Sequence, residues 1–105
     1  MKILPEPISF DWDKGNIDKN FIKHNVSNKE IEEVFKNSPI IIFKDEKHTT
    51  EKEKRFGMFG KSNTGRQLSI VFTIREAQIR VITARDISKK ERRAYEEKIK
   101  ANSKI

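Results

Sequence analysis

Arg55, Arg66, Arg75, Arg80 and Arg85 stand where alternating apolar patterns mark strand starts, turns or strand ends. A guanidinium is planar, permanently charged and donates in pairs to phosphate oxygens, so this set suits holding a phosphodiester while negative charge builds on it. Strand arginines also pair with carboxylates, and Glu53 and Glu76 are near enough in sequence to take that role. His24, next to Lys23, carries an imidazole able to move a proton at neutral pH, the need of any metal-free phosphodiester cleavage through a 2′-hydroxyl. The plainer reading is a helix-terminal His bonded to a carbonyl. His48 lies beside Thr49 and Thr50 with Glu51 and Glu53 nearby, without a recognised ligand spacing, so no metal is expected. Trp12 and Tyr95 are candidates for stacking on a base, although Trp12, between two aspartates and beside Phe10, reads better as a lid on the core. Neither a P-loop, a dinucleotide fingerprint, a nucleophile elbow nor an HExxH motif is present, so no cofactor is expected.

A chain of 105 residues fits one domain spanning 1–105 and is too short for two domains around a deep cleft. Its 37% charged residues and formal charge of +7 favour nucleic acid, an acidic protein or an anionic surface as ligand. Lys89, Lys90, Arg92 and Arg93 concentrate that charge near the C-terminus. With no cysteine there is neither a disulfide nor a zinc-thiolate site. "IIIF", Ile40 to Phe43, is far too short to cross a membrane, and "MKILPEPISF" lacks the apolar run of a signal peptide, so the expected location is the cytoplasm.

These residues need a scaffold, and the apolar periodicity supplies one. Ile17, Phe21 and His24 recur at helical spacing, which predicts a first helix with those three turned inward and Asn25 as its stop. Ser27 and Glu30 form a capping box that opens a second helix, with Val26 stapled onto Ile31 and with Ile31, Val34 and Phe35 as its buried stripe. "IIIFK" reads as a fully covered strand and "DEKHTTEKEK" as a solvated loop or polar strand extension. "RFGMFG", "QLSIVFTI" and "QIRVITAR", joined by short turns, predict an antiparallel three-stranded meander. A second capping box, Ser88 with Glu91, opens a last helix whose thin stripe of Ala94, Tyr95 and Ile99 predicts weak docking. The expected fold is α+β: two N-terminal helices, a strand added to the meander, and a C-terminal helix, with helices on one face of a curled antiparallel sheet. Strict alternation would set Arg80 on one face with Ile82 and Ala84, and Arg85 on the other.

The stretches "FDWD", "KHNVS", Glu53 with Arg55, and "RVITAR" followed by "ERRAYE" together resemble the BrnT family of toxins from bacterial type II toxin–antitoxin systems. The resemblance runs from about Phe10 to Glu97 and implies a RelE-like fold and a metal-independent ribonuclease that stops translation. It also implies neutralisation by a BrnA-type antitoxin with a ribbon-helix-helix segment, and operator DNA bound only through the toxin–antitoxin complex. The family motifs fall on Lys23, His24, Glu53, Arg55, Arg80, Arg85 and the segment from Glu91 to Tyr95. The expected division of labour has Arg55, Arg80 and Arg85 on the scissile phosphate, His24 or Lys23 handling a proton, and Glu53 orienting an arginine or acting as base. Arg66, Arg75, Arg92, Arg93 and Tyr95 are the candidate RNA contacts. A binding or co-repressor module without catalysis is the rival reading, for which the basic surface alone suffices.

Overall fold

The computed structural model describes residues 3–102. Seven elements follow in order: α1 (Lys19–His24), α2 (Asn28–Lys36), β1 (Ile41–Lys44), β2 (Arg55–Lys61), β3 (Gln67–Arg75), β4 (Gln78–Asp86) and α3 (Lys89–Asn102). The strands form one four-stranded antiparallel sheet in the order β1-β2-β3-β4. The meander and the added strand are therefore as expected. No described helix is long and apolar enough to cross a membrane.

One face of the sheet carries the core. Met58, Leu68, Ile70, Phe72, Ile79, Val81 and Ala84 point from it onto Val26, Ile31, Val34 and Phe35 of the α2 segment, all nearly inaccessible to water. Burying each large aliphatic or aromatic side chain contributes about 1.5–3 kcal/mol, so this face holds the domain together. The Phe35 and Phe72 rings meet edge to face at 5.1 Å, and Phe10 packs on Phe35 at 5.4 Å. Trp12 stacks on Phe10 and donates its indole N–H to Glu32 at 2.8 Å, the lid its setting suggested. The capping box at Ser27 and Glu30 forms as read, with both backbone N–H groups satisfied. The box at Ser88 and Glu91 forms too.

Three expectations need correction. First, α3 does not share the face of α2. Tyr95 packs on Phe59, which faces away from Met58, and its hydroxyl donates to the Pro39 carbonyl at 2.8 Å. One fully buried aromatic ring anchors this helix better than its thin apolar stripe suggested. Second, α1 is a six-residue helix that turns Ile17 and Phe21 outward, with Phe21 52% exposed and His24 also exposed. Its buried residue is Asn20, whose amide oxygen accepts the Ala84 N–H at 2.9 Å. A sheet edge there offers backbone groups rather than an apolar surface, so the polar face turns inward. Third, β1 is an edge strand, not a covered one, and Phe43 remains 41% exposed.

Candidate functional site

A register irregularity in β4 decides which side chains share a face. Val71 pairs with Thr83 but Phe72 pairs with Val81, leaving Ile82 as an extra residue. Such a bulge resets the alternation beyond it. Arg80 consequently faces the side opposite the core, opposite Thr73, while Ala84 is buried in the core. Arg85, opposite Ser69, returns to the same side as Arg80. The strict alternation that separated Arg80 from Arg85 and joined it to Ala84 is overturned by this one inserted residue.

Arg55, Thr73 and Arg80 form one row across β2, β3 and β4. Two strand spacings put the Arg55 and Arg80 backbones about 10 Å apart, within reach of two arginine side chains closing on one phosphate. Together with Lys19, Glu53 and Gly15 they line a small cleft of about 160 Å³. Glu53 accepts from Arg55 Nε at 2.8 Å, which leaves both Arg55 Nη groups without a partner among the described residues. Thr73 donates its hydroxyl to the Lys54 carbonyl at 2.7 Å and so pins the entry to β2. Arg80 is held in a fork by Asp13, at 2.9 and 3.0 Å, with Asp11 at 3.4 Å. The guanidinium hydrogen bond keeps the Asp13 carboxyl below the usual carboxylate range, and the same pair raises Arg80. A Cβ at Gly15 would stand 3.1 Å from both Arg80 Nη2 and Asp13 Oδ1, so a larger residue there would push the pair aside by a few tenths of an ångström.

The other arginines do different work. Arg85 lies about 13 Å along the sheet from the Arg80 row, at the Ser69 row, and makes two bonds to Glu91 at 2.7 and 2.9 Å. That pairing holds the Glu91 carboxyl down at about 2. Arg66 is a structural clamp: it bonds Asp86 at 2.7 and 3.1 Å, Glu30 at 3.2 Å, and the carbonyls of His24 and Asn25. Burial pushes Glu30 up, but the Ser27 backbone bond and Arg66 outweigh it and leave its carboxyl lowered. Arg92 bonds Gln67, while Arg75 and Arg93 are exposed. The buried Tyr95 ring has no free face for a base.

Lys23 and His24 are not brought to the cleft. They end α1, and the His24 carbonyl touches Arg66 at the opposite end of the row of strands from Glu53. His48 pairs with Asp45 at 2.9 Å on the exposed loop, and no group of three potential metal ligands occurs among the described residues.

Sequence reasoning passed over Lys19, Thr73, Asn16 and the forked pair of Asp13 with Arg80. Asn16 donates to the carbonyls of Asp11 and Val81, and Lys19 Nζ to that of Ile82 at 3.4 Å. Asn16 in the preceding turn and Lys19 and Asn20 at the start of α1 are polar positions, a signal hidden because apolar periodicity was the guide. Asp11 and Asp13 flank Trp12 in "FDWD", but nothing local names an arginine as their partner.

No curated protein matches the chain. The family model described as the ribonuclease toxin BrnT of type II toxin–antitoxin systems matches residues 12–91, which include Arg55, Thr73, Arg80 and Arg85, and the chain belongs to that family.

Proposed function

We propose that this toxin cleaves RNA at the Arg55–Thr73–Arg80 row by a route that uses no metal. Arg55 and Arg80 hold the non-bridging oxygens of the scissile phosphate and stabilise the charge that grows on them. Glu53, fixed by Arg55 Nε, takes the proton of the 2′-hydroxyl. The 2′-oxygen bonds to phosphorus as the 5′-oxygen departs, leaving a 2′,3′-cyclic phosphate and a 5′-hydroxyl end. The observation that carries this reading is the alignment of two arginines, one on each side of Thr73, over a cleft that Glu53 also lines. Arg85 lies too far along the sheet for the same phosphate, and we assign it to the flanking RNA together with Arg75, Arg92 and Arg93.

Cutting RNA would stop translation. An antitoxin of the ribbon-helix-helix class would neutralise the basic surface, and operator DNA would be bound by the two proteins together. The fold that supports this role is of the RelE-like kind: a curled antiparallel sheet with its active face opposite the core helix.

One observation favours the rival binding role. The Nη groups of Arg80 and Arg85 already hold carboxylates, so an RNA phosphate must compete there with Asp13 and Glu91. The deciding experiment is cleavage of purified RNA by the purified chain in excess EDTA, with product ends identified. Cyclic or 3′-phosphate ends from the parent, and a loss of about 10²–10³ in rate for Arg55→Ala and for Arg80→Ala, are the expected results. Salt-dependent RNA binding without cleavage, even with translating ribosomes present, would leave the co-repressor role in its place.

A further inference from the structure

The cleft has a base candidate in Glu53 but, with Lys23 and His24 elsewhere, no group yet assigned to protonate the departing 5′-oxygen. That proton matters because an alkoxide is a poor leaving group, and general acid catalysis typically contributes about 10²–10⁴ in rate.

Lys19 meets the requirement by position. It lines the same cleft, yet it comes from α1 beyond the outer edge of β4, whereas Glu53 precedes β2. Lys19 therefore reaches the cleft from the β4 side of the row and Glu53 from the β2 side. Displacement at phosphorus puts the attacking and leaving oxygens at opposite ends of the transition state, so base and acid must approach from opposite sides. Its charge is also available. Arg55 is paired with Glu53 and Arg80 with Asp13, whereas Lys19 has no carboxylate partner among the described residues. Its placement is rigid, because Asn16 and Asn20 on either side in sequence are both buried and bonded to β4 backbone. One weak bond at 3.4 Å to the Ile82 carbonyl leaves the ammonium two further N–H groups to offer.

We propose that Lys19 is a catalytic residue, the general acid that gives its proton to the 5′-oxygen of the scissile linkage. The inference rests on the ribonuclease reading above. As the bond from phosphorus to the 5′-oxygen breaks, its electron pair goes to that oxygen, which takes a proton from Lys19. Glu53 meanwhile holds the proton from the 2′-hydroxyl. Lys19 ends neutral and Glu53 protonated, and exchange with water restores both.

The test uses an RNA oligonucleotide in which the 5′-oxygen of the linkage cut by the parent is replaced by sulfur. A thiolate leaves without protonation, since thiols ionise near pH 8.5. Lys19→Met removes the proton donor, and Lys19→Arg keeps the charge and a donor to Ile82 while withholding the proton. Both variants are expected to lose about 10²–10⁴ in kcat on ordinary RNA and to stay within about tenfold of the parent on the sulfur-substituted RNA. Equal losses on the two substrates, recovery of ordinary cleavage by Lys19→Arg, or no loss in either variant would each overturn the assignment. A parent that cleaves neither substrate would instead remove the ribonuclease reading on which the assignment rests.

Discussion

Along the outer edge of β4, backbone groups from Ile79 to Ala84 are met by partners from the N-terminal segment. The Ile79 N–H and carbonyl bond Ser9 and Asp11, and the Val81 and Ile82 carbonyls accept from Asn16 and Lys19. The Ala84 N–H reaches Asn20. The outer edge of β1 has no such cover among the described residues. Asp45 donates to the Arg55 carbonyl, so by antiparallel alternation Phe43 and Ile41 point their backbone groups at β2 while Ile42 and Lys44 point theirs outward. Mainly apolar side chains finish that edge: Ile40, Ile41, Ile42 and Phe43 line an open groove with Phe59, Ala94 and Lys98. The difference is between an edge closed by backbone and polar side-chain partners and one left to a short strand paired on its inner side only among the described residues. The candidate site stands beside the closed edge, where Asn16, Lys19 and Asn20 bond the backbone at and on either side of the bulge that turns Arg80 and Arg85 to one face. Rigid placement of such groups within a fraction of an ångström is what stabilising a transition state requires.

The largest expected contrast is in hydrogen exchange. Ala84 N–H, bonded to a buried amide, should exchange only through opening of the whole domain, and Ile42 N–H through local fraying. Those limits differ by several kcal/mol, so protection should differ by about 10³ or more. Equal protection at the two amides would break the comparison. The next effect is on stability. Asn20→Leu removes the acceptor from the buried Ala84 N–H, which typically costs about 1–3 kcal/mol, and a domain of this size loses about 4–8 °C of melting temperature per kcal/mol. Asn20 Nδ2 is itself buried with no partner among the described residues, so the leucine also removes one unsatisfied donor and the loss should fall short of the upper figure. Thermal melts of parent and variant check this. An unchanged melting temperature would mean that the Asn20 bond does not hold the edge.

The same contrast explains what could be read from sequence. The core face was legible, since Leu68, Ile70, Phe72 and Ile74 alternate without interruption and Ile31, Val34 and Phe35 recur at helical spacing behind a capping box. The closed edge was not legible. Asn16, Lys19 and Asn20 carry no apolar signal, and their partners are backbone groups more than sixty residues away. The bulge at Ile82 leaves no composition mark either, because "RVITAR" contains neither Gly nor Pro. Parity therefore failed at Arg80; Glu53, Arg55 and Arg80, singled out by residue type together with the family resemblance, line one cleft. Phe21 and His24 misled because a six-residue helix presents so few turns that helical spacing cannot tell an inward stripe from an outward one.

The smallest expected effect separates electrostatics from amide bonding at the closed edge. Arg85, near the end of β4, grips Glu91 of α3 and holds its carboxyl at about 2, against an ordinary value of 4.5. A carboxyl whose pKa is depressed on folding stabilises the fold fully above its unfolded value, and that stabilisation is lost as pH falls from about 4.5 toward 2. Because the Arg85 side chain is 44% exposed, solvent screening limits the contribution to about 1 kcal/mol. Parent and Glu91→Gln should therefore differ by that amount in chemical denaturation at pH 6 and converge near pH 2. Among the described residues β1 has no counterpart: the pair of His48 with Asp45 just beyond it sits on the surface loop, with the His48 side chain 55% exposed. If hydrogen exchange is followed through the same acid range, Ile42 should keep its low protection relative to the rest of the sheet, while Arg85 and Asp86 lose some of theirs. Loss of protection at Ala84 in step with them would show that the ion pair, rather than the Asn20 amide, holds that end of β4.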